Sequence, residues 1–391
     1  MASMTLRLRL EGAHLHVQGE IVADEPLREL SLMLNRGLTV TEARCDGEPV
    51  ACAPGAACDP MFRAESTIWQ VRRETPFRQL TLRYEGTVGS WWHCAVSERL
   101  IALNWYSVWF PQELPFAQVR DLVLVEGCGD YLMLKGTRDE EADVWRYGGE
   151  GYDPFNLLLY RRESMHIVRG AHLRVWFLDD GQRESAEQAV RVFEDILDFY
   201  TKELFRTPWE GAVDMACDAP VVRDGGAYKR RGLIVTNRPG DHDGELVCVN
   251  AHELAHEWCS GADVNTWEDW LNEAGAEWAM LLYALSRGRQ DLYEEQMAWH
   301  REQAKRAPVM RPVDGSRPAE GVHSVGTVLF EGLYRRFGAE AVAEVLRCMV
   351  ALKEKTTARL LDALRGAGLT AVAQALEESL DKRGVKVRNM D

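Results

Sequence analysis

Two periods of apolar residues divide the chain. Up to about Asp180, apolar positions alternate with polar ones, as at Leu6, Leu8 and Leu10 and again at Leu80, Leu82 and Tyr84. A period of two is that of a strand with one buried face. His172–Phe177 (HLRVWF) reads as a further strand, and turn pairs at Glu11-Gly12, Asp46-Gly47, Glu85-Gly86 and Asp180-Gly181 punctuate the runs. The rhythm predicts an antiparallel β-domain, a sandwich or saddle, over residues 1–182.

From Ser185 the period lengthens to that of a helix. Ala186, Ala189, Val190, Phe193, Ile196, Leu197 and Tyr200 form one stripe, which ends before Pro208. Two short pieces, Leu233–Thr236 and Leu246–Val249, read as strands separated by the polar stretch Arg238–Gly244. Beyond residue 250 the pattern is nearly all helical, with a buried helix over Asp269–Leu285 and amphipathic ones over Ala341–Leu352 and Thr357–Leu364. The predicted fold class is α+β and multidomain: a β-domain over 1–182, a second domain over 183–310, and a helical C-terminal part over 311–391.

Composition narrows the function classes. The 391 residues carry a net charge of −15 with no long basic run, which disfavours binding to nucleic acid or to an anionic membrane. The first residues alternate apolar and basic, without an apolar signal core. No stretch approaches the ~18 apolar residues of a spanning helix. A soluble, cytoplasmic protein is expected. Nine cysteines include no CxxC pair, so reduced thiols are expected. Cys45, Cys52 and Cys58 fall in a Gly/Ala/Pro-rich stretch that reads as a loop.

One segment stands out chemically: His252-Glu253-Leu254-Ala255-His256. On a helix, residues four apart share a face, so both imidazoles reach one metal ion. Glu253 is placed beside them to take a proton from water. Gly261 is the expected terminator of that helix. By itself the motif also fits two surface histidines on an ordinary helix. Glu273, 17 residues after His256, supplies a third ligand in Trp270-Leu271-Asn272-Glu273-Ala274-Gly275-Ala276-Glu277-Trp278. Three protein ligands with an open position are the pattern of a catalytic zinc site. Glu277 shares Glu273's helix face among tryptophans and leucines, and a buried carboxylate there needs a partner. It is expected to accept the ring N–H of one ligand histidine. His300, within the charged stretch Glu294–Lys305, reads as a solvated face residue, and His242 as part of a polar turn.

HELAH followed by WLNEAGAEW resembles the gluzincin metallopeptidases, specifically the aminopeptidase N-type family with its HExxH and WLNEG signatures. Other stretches agree. Leu197–Trp209 is similar to the helix and turn that open the family's catalytic domain, and Ser107–Pro111 (SVWFP) resembles a WYP element of its β-domain. Gly226–Ile234 (GAYKRRGLI) falls where the family has GAMENWGLI, and His323–Gly326 (HSVG) where it has YxKG. The resemblance spans about residues 90 to 340. It implies a thermolysin-like catalytic domain over 183–310 completed by 311–391, a Zn2+ cofactor, and peptide substrates.

The resemblance also implies roles. His252, His256 and Glu273 would hold zinc, and Glu253 would be the general base. His323, in the place of the family's tyrosine, would donate to the oxyanion, with Tyr228 a second candidate. Gly226, Ala227, Lys229 and Arg230 would line the substrate subsite. Two departures matter. The His256–Glu273 spacer is two residues shorter than usual. Lys229, followed by Arg230 and Arg231, replaces the glutamate that binds a substrate's α-amine, and a cationic cluster repels an ammonium. Either these side chains line the cleft and favour acidic or blocked peptides, or they face solvent; Glu98 or Glu113 would then be a replacement acid. A zinc-holding protein that binds peptides or a partner with weak catalysis is the alternative, as is an endopeptidase of the same fold.

Overall fold

The computed structural model describes residues 2–58, 64–89, 94–113, 119–149, 156–218, 227–240, 243–306, 310–312, 315–316 and 322–380. The protein is mixed α/β and packs as two compact units. The first comprises 1–168, 175–183 and 214–238; the second comprises 169–174, 184–213 and 239–391.

The first unit is built of sheets. Two 22-residue strands, His14–Asn35 and Ser66–Thr87, pair antiparallel along their length. Register shifts between Val22 and Leu27 and between Leu27 and Glu29 bend the ribbon, as bulges do. Ala2–Glu11 flanks this pair, and Leu38–Cys45 lies on its other side. The expectation of a wholly antiparallel domain is corrected at one strand pair inside the sheet: Ala2–Glu11 pairs parallel with Val119–Glu126. Parallel neighbours need a long crossover, and the intervening strands supply it. The stretch holding Cys52 and Cys58 is also corrected, from loop to strand (Cys52–Cys58). Pro54 and Gly55 are tolerated there because the strand bulges between Pro54 and Ala57.

A four-stranded sheet contains Leu100–Leu103 and Leu157–Arg161. One of its faces, with Ile101, Leu103, Leu157 and Leu159, joins the core that includes Leu6, Leu8, Leu82 and Tyr84. The other, with Leu100, Ala102, Leu158 and Tyr160, packs on Tyr228, Leu233 and Val235. A sheet covered on both faces explains why LIAL and LLLY are continuous apolar runs without alternation. Leu233–Val235 pairs antiparallel with Tyr228–Arg230 and parallel with residues 214–216.

The second unit is helical: α1 (Arg183–Phe199), α2 (Asp243–Ala255), α3 (Trp270–Ser286), α4 (Gln290–Ala304), α5 (Val322–Phe337), α6 (Ala339–Ala351), α7 (Thr357–Gly366) and α8 (Thr370–Leu380). The Leu246–Val249 piece is corrected from strand to helix. Leu246, Val247, Asn250, Ala251 and Leu254 are buried, which is the spacing of a helix stripe. A four-residue window of Leu, Val, Cys and Val carries no period of its own, so β-branching misleads there. Residues of α3 are buried on almost every side, so it is the central helix of the unit. It meets α5 closely, because a Cβ at Gly326 would stand 2.7 Å from the Cβ of Ala274. Among the described residues no helix is long and apolar enough to cross a membrane.

Candidate metal centre

Three helices bring the chemistry together. The buried stripe of α2 turns His252 toward α3, and the Tyr200 hydroxyl donates to the Ala251 carbonyl at 2.9 Å beside it. The helix ends at Ala255 rather than running to Gly261, because His256 begins a turn. In that turn the Cys259 N–H donates back to the Ala255 carbonyl at 2.8 Å. Gly261, with φ +98°, redirects the chain afterwards. The loop then returns to α3 through Asn272, whose side chain pairs with both the N–H and the carbonyl of Ala262 (3.0 and 3.1 Å). Asn272 thereby holds the loop next to Glu273.

The atoms converge. His252 Nε2 and His256 Nε2 are 3.2 Å apart, and Glu273 Oε2 lies 3.8 Å from the first and 4.0 Å from the second. Ligands ~2.0–2.2 Å from a tetrahedral ion stand ~3.3–3.5 Å from one another, so a small closure of Glu273 completes the set. Each imidazole spends its other nitrogen on an acceptor. His252 Nδ1 donates to Glu277 Oε2 at 2.8 Å, and His256 Nδ1 donates to the Cys259 carbonyl at 3.0 Å. Both Nε2 atoms therefore face one point, and in the neutral rings both are lone pairs available to one cation. The donor set therefore fits zinc: two imidazoles and a carboxylate.

His323, at the start of α5, joins this cluster. Its Nε2 is 3.9 Å from Glu273 Oε2 and 3.4 Å from Glu277 Oε2, and His252, Glu273 and His323 each offer an atom within 4.8 Å of the others. Glu277 sits among three imidazoles. Burial opposes its charge, yet His300, His252 and His323 hold its carboxyl well below the usual range. Burial likewise opposes a charged His252, but the Glu277 hydrogen bond and the nearby Glu253 and Glu273 raise its pKa to about 9.

The solvated reading of His300 is overturned. Its exposure is 0 %, and its Nε2 donates to Glu277 Oε1 at 2.7 Å. The polar neighbours Glu294, Glu295 and Arg301 hide the signal. Read at helical spacing instead, Tyr293, Met297, His300 and Ala304 are one buried stripe.

The remaining sequence candidates lie in the β-rich unit. Tyr228 is buried, its ring edge-on to Tyr106 at 5.5 Å, and burial pushes its pKa up. Lys229 and Ala227 are half-buried, and Arg231 is exposed. The guanidinium of Arg230 stacks over Tyr228 and Tyr106 at 5.0 and 5.3 Å. Gly226 and His242 lie outside the described residues, as does the side chain of Glu113.

Solved structures share this arrangement of elements. An M1 zinc metallopeptidase from Deinococcus radiodurans, a variant bound to a Tyr-Ser-Ala substrate, aligns with a TM-score of 0.63 at 18% identity over 97% of this chain and 94% of its own. The fold is that of the M1 zinc metallopeptidases. Native leukotriene A4 hydrolase from Saccharomyces cerevisiae aligns with a TM-score of 0.68 at 15% identity, over 99% of this chain and 68% of its own. No protein-family model matches the chain, and no curated protein matches its sequence.

Proposed function

We propose that the protein is a zinc-dependent peptidase. One observation carries the reading: two Nε2 atoms and the Glu273 carboxylate face one point, with both Nδ1 atoms anchored elsewhere. When bound there, zinc would polarise the scissile carbonyl and make a water molecule more acidic. Glu253 follows His252 directly in the motif and is the base that takes the proton from the attacking water and returns it to the leaving amine. His323 has its Nε2 near Glu273 and is the donor that stabilises the oxyanion. The solved neighbours include a complex with a tripeptide substrate, which supports peptides as the substrate class.

The amine end of the substrate is where this chain departs from an aminopeptidase. Lys229 and Arg230 offer positive charge in the stretch that resembles the family's exopeptidase loop, so the reading assigns acidic or amino-terminally blocked peptides. The test is a peptide library, half of it amino-terminally acetylated, with products read by mass spectrometry and Glu253→Gln as the blank. Cleavage of acetylated or internal bonds is expected, at a rate reduced about 10²–10⁴-fold in the variant. Loss of single residues from free amino termini alone would show that another acid replaces the missing glutamate.

A second reading rests on His323. An imidazole among the ligands can fill the fourth position, and a zinc with four protein ligands is a closed, structural one. The protein would then hold zinc and bind peptides or a partner with little turnover. Cobalt substitution separates the two, since an open site binds added inhibitor anions and changes its visible spectrum while a closed one does not.

A further inference from the structure

We infer that His300 is a positioning residue of the metal centre, acting on the ion through Glu277 and His252. The inference rests on the zinc reading above and goes beyond it, since His300 belongs to no motif. Both ring nitrogens of His300 are engaged: Nε2 at 2.7 Å from Glu277 Oε1 and Nδ1 at 3.1 Å from Ser324 Oγ. A carboxylate only accepts, so Nε2 carries the proton. Burial lowers the pKa of His300, with Glu277 opposing, and in the neutral ring Nδ1 then accepts from the Ser324 hydroxyl. The direction of every hydrogen bond in the chain follows. Ser324 donates to His300, and His300 donates to one oxygen of Glu277. His252 donates its Nδ1–H to the other oxygen at 2.8 Å.

The last link sets the tautomer of His252. In the neutral ring that a metal would bind, the proton is held on Nδ1, and His252 presents Nε2 as a lone pair toward His256 and Glu273. Glu277 holds that N–H only while its carboxylate is fixed in place, and its exposure is just 4 %. A carboxylate that deep is held in place by the groups paired with its oxygens. Remove the donor on Oε1, and the Glu277 carboxylate can turn toward His323, whose Nε2 already stands 3.4 Å from Oε2. His252 then loses its anchor.

The position of α4 does not depend on this bond. Arg301, one residue on, is paired with the buried Glu331 of α5, and Tyr293 and Met297 are packed in the core. His300 is therefore separable from the fold that carries it.

The test is zinc affinity, measured by competition with a chromogenic chelator on the full-length protein. His300→Met keeps the volume and loses the donor; weakening of about 10–100-fold is expected. His300→Gln places an amide N–H near the position of Nε2 and should restore most of the affinity, which a merely structural role would not do. Unchanged affinity in His300→Met, or equal losses in both variants, would overturn the inference. Should His300→Met fail to fold, Ser324→Ala carries the test. It removes the hydroxyl that holds Nδ1 as acceptor and should weaken zinc binding about threefold, and an unchanged value overturns the inference. His252→Ala is the control for the underlying reading: if wild type and His252→Ala bind zinc equally, the proposed metal centre itself is wrong, whatever His300 does.

Discussion

Glu253 and His323 would be asked for different chemistry at one point, and substitution separates them. Under the proposed function, His323→Phe removes a donor that acts when negative charge develops on the carbonyl oxygen. Its kcat should fall about 10²–10³-fold with KM little changed. Tyr228→Phe should leave kcat within about twofold, because that ring is buried edge-on against Tyr106. Steady-state kinetics on one cleaved peptide measures both. A His323→Phe variant that gains activity while losing zinc affinity would instead make His323 a ligand. At this scale the sequence was most legible where spacing is local. His252 and His256 are one helical turn apart, and Glu273 and Glu277 are another, so periodicity alone brings each pair to one face. His300 and Ser324 were illegible because their meeting depends on how α4 packs against α5, and no local pattern encodes a contact between residues 24 apart in sequence.

Elements carry the next level of the site. Glu273 and Glu277 ride on α3 and His323 on α5, so the distance between these helices sets the cluster. Gly326 fixes it: its missing Cβ admits Ala274, with Trp270 Cε3 3.4 Å from the same point. Gly326→Val should push the helices apart and cost about 1–3 kcal/mol of stability, partly offset by the poor helix propensity of glycine. Urea denaturation measures the loss, and kcat should fall with it, because His323 on α5 moves away from Glu273 on α3. Retained stability would mean that α3 and α5 tolerate a wider crossing. The same contact shows why boundaries were harder to read than elements. The apolar pattern places α3 to within one residue, whereas it misses the start of α2 and runs past its end. Its amino-terminal turns look like a strand in a short window, and at its end a side chain bonds the backbone three residues on, His256 to the Cys259 carbonyl, well before the glycine.

At the scale of the molecule, the candidate ligands join segments far apart in the chain, from His252 on α2 through Glu273 on α3, with His323 on α5 beside them. Anything bound there is bound only by the folded helical unit, since the unfolded chain does not hold these groups together. Free zinc at 100 times its dissociation constant should therefore add about 2.7 kcal/mol to the stability of that unit. For a unit of this size, each kcal/mol moves the midpoint by about 2–4 °C, so chelation should lower it by about 5–11 °C. Circular dichroism at 222 nm reports the right part, because the helices are concentrated in the unit that holds the cluster. The shift should depend on zinc concentration and vanish in Glu273→Gln. It should persist in Glu253→Gln, which removes the base and none of the ligands. A midpoint indifferent to chelator in wild type would mean that the converging imidazoles hold no ion, and the peptidase reading would fall with them. A midpoint shift that survives in Glu273→Gln would keep the metal and move the third ligand to His323, which already stands within reach.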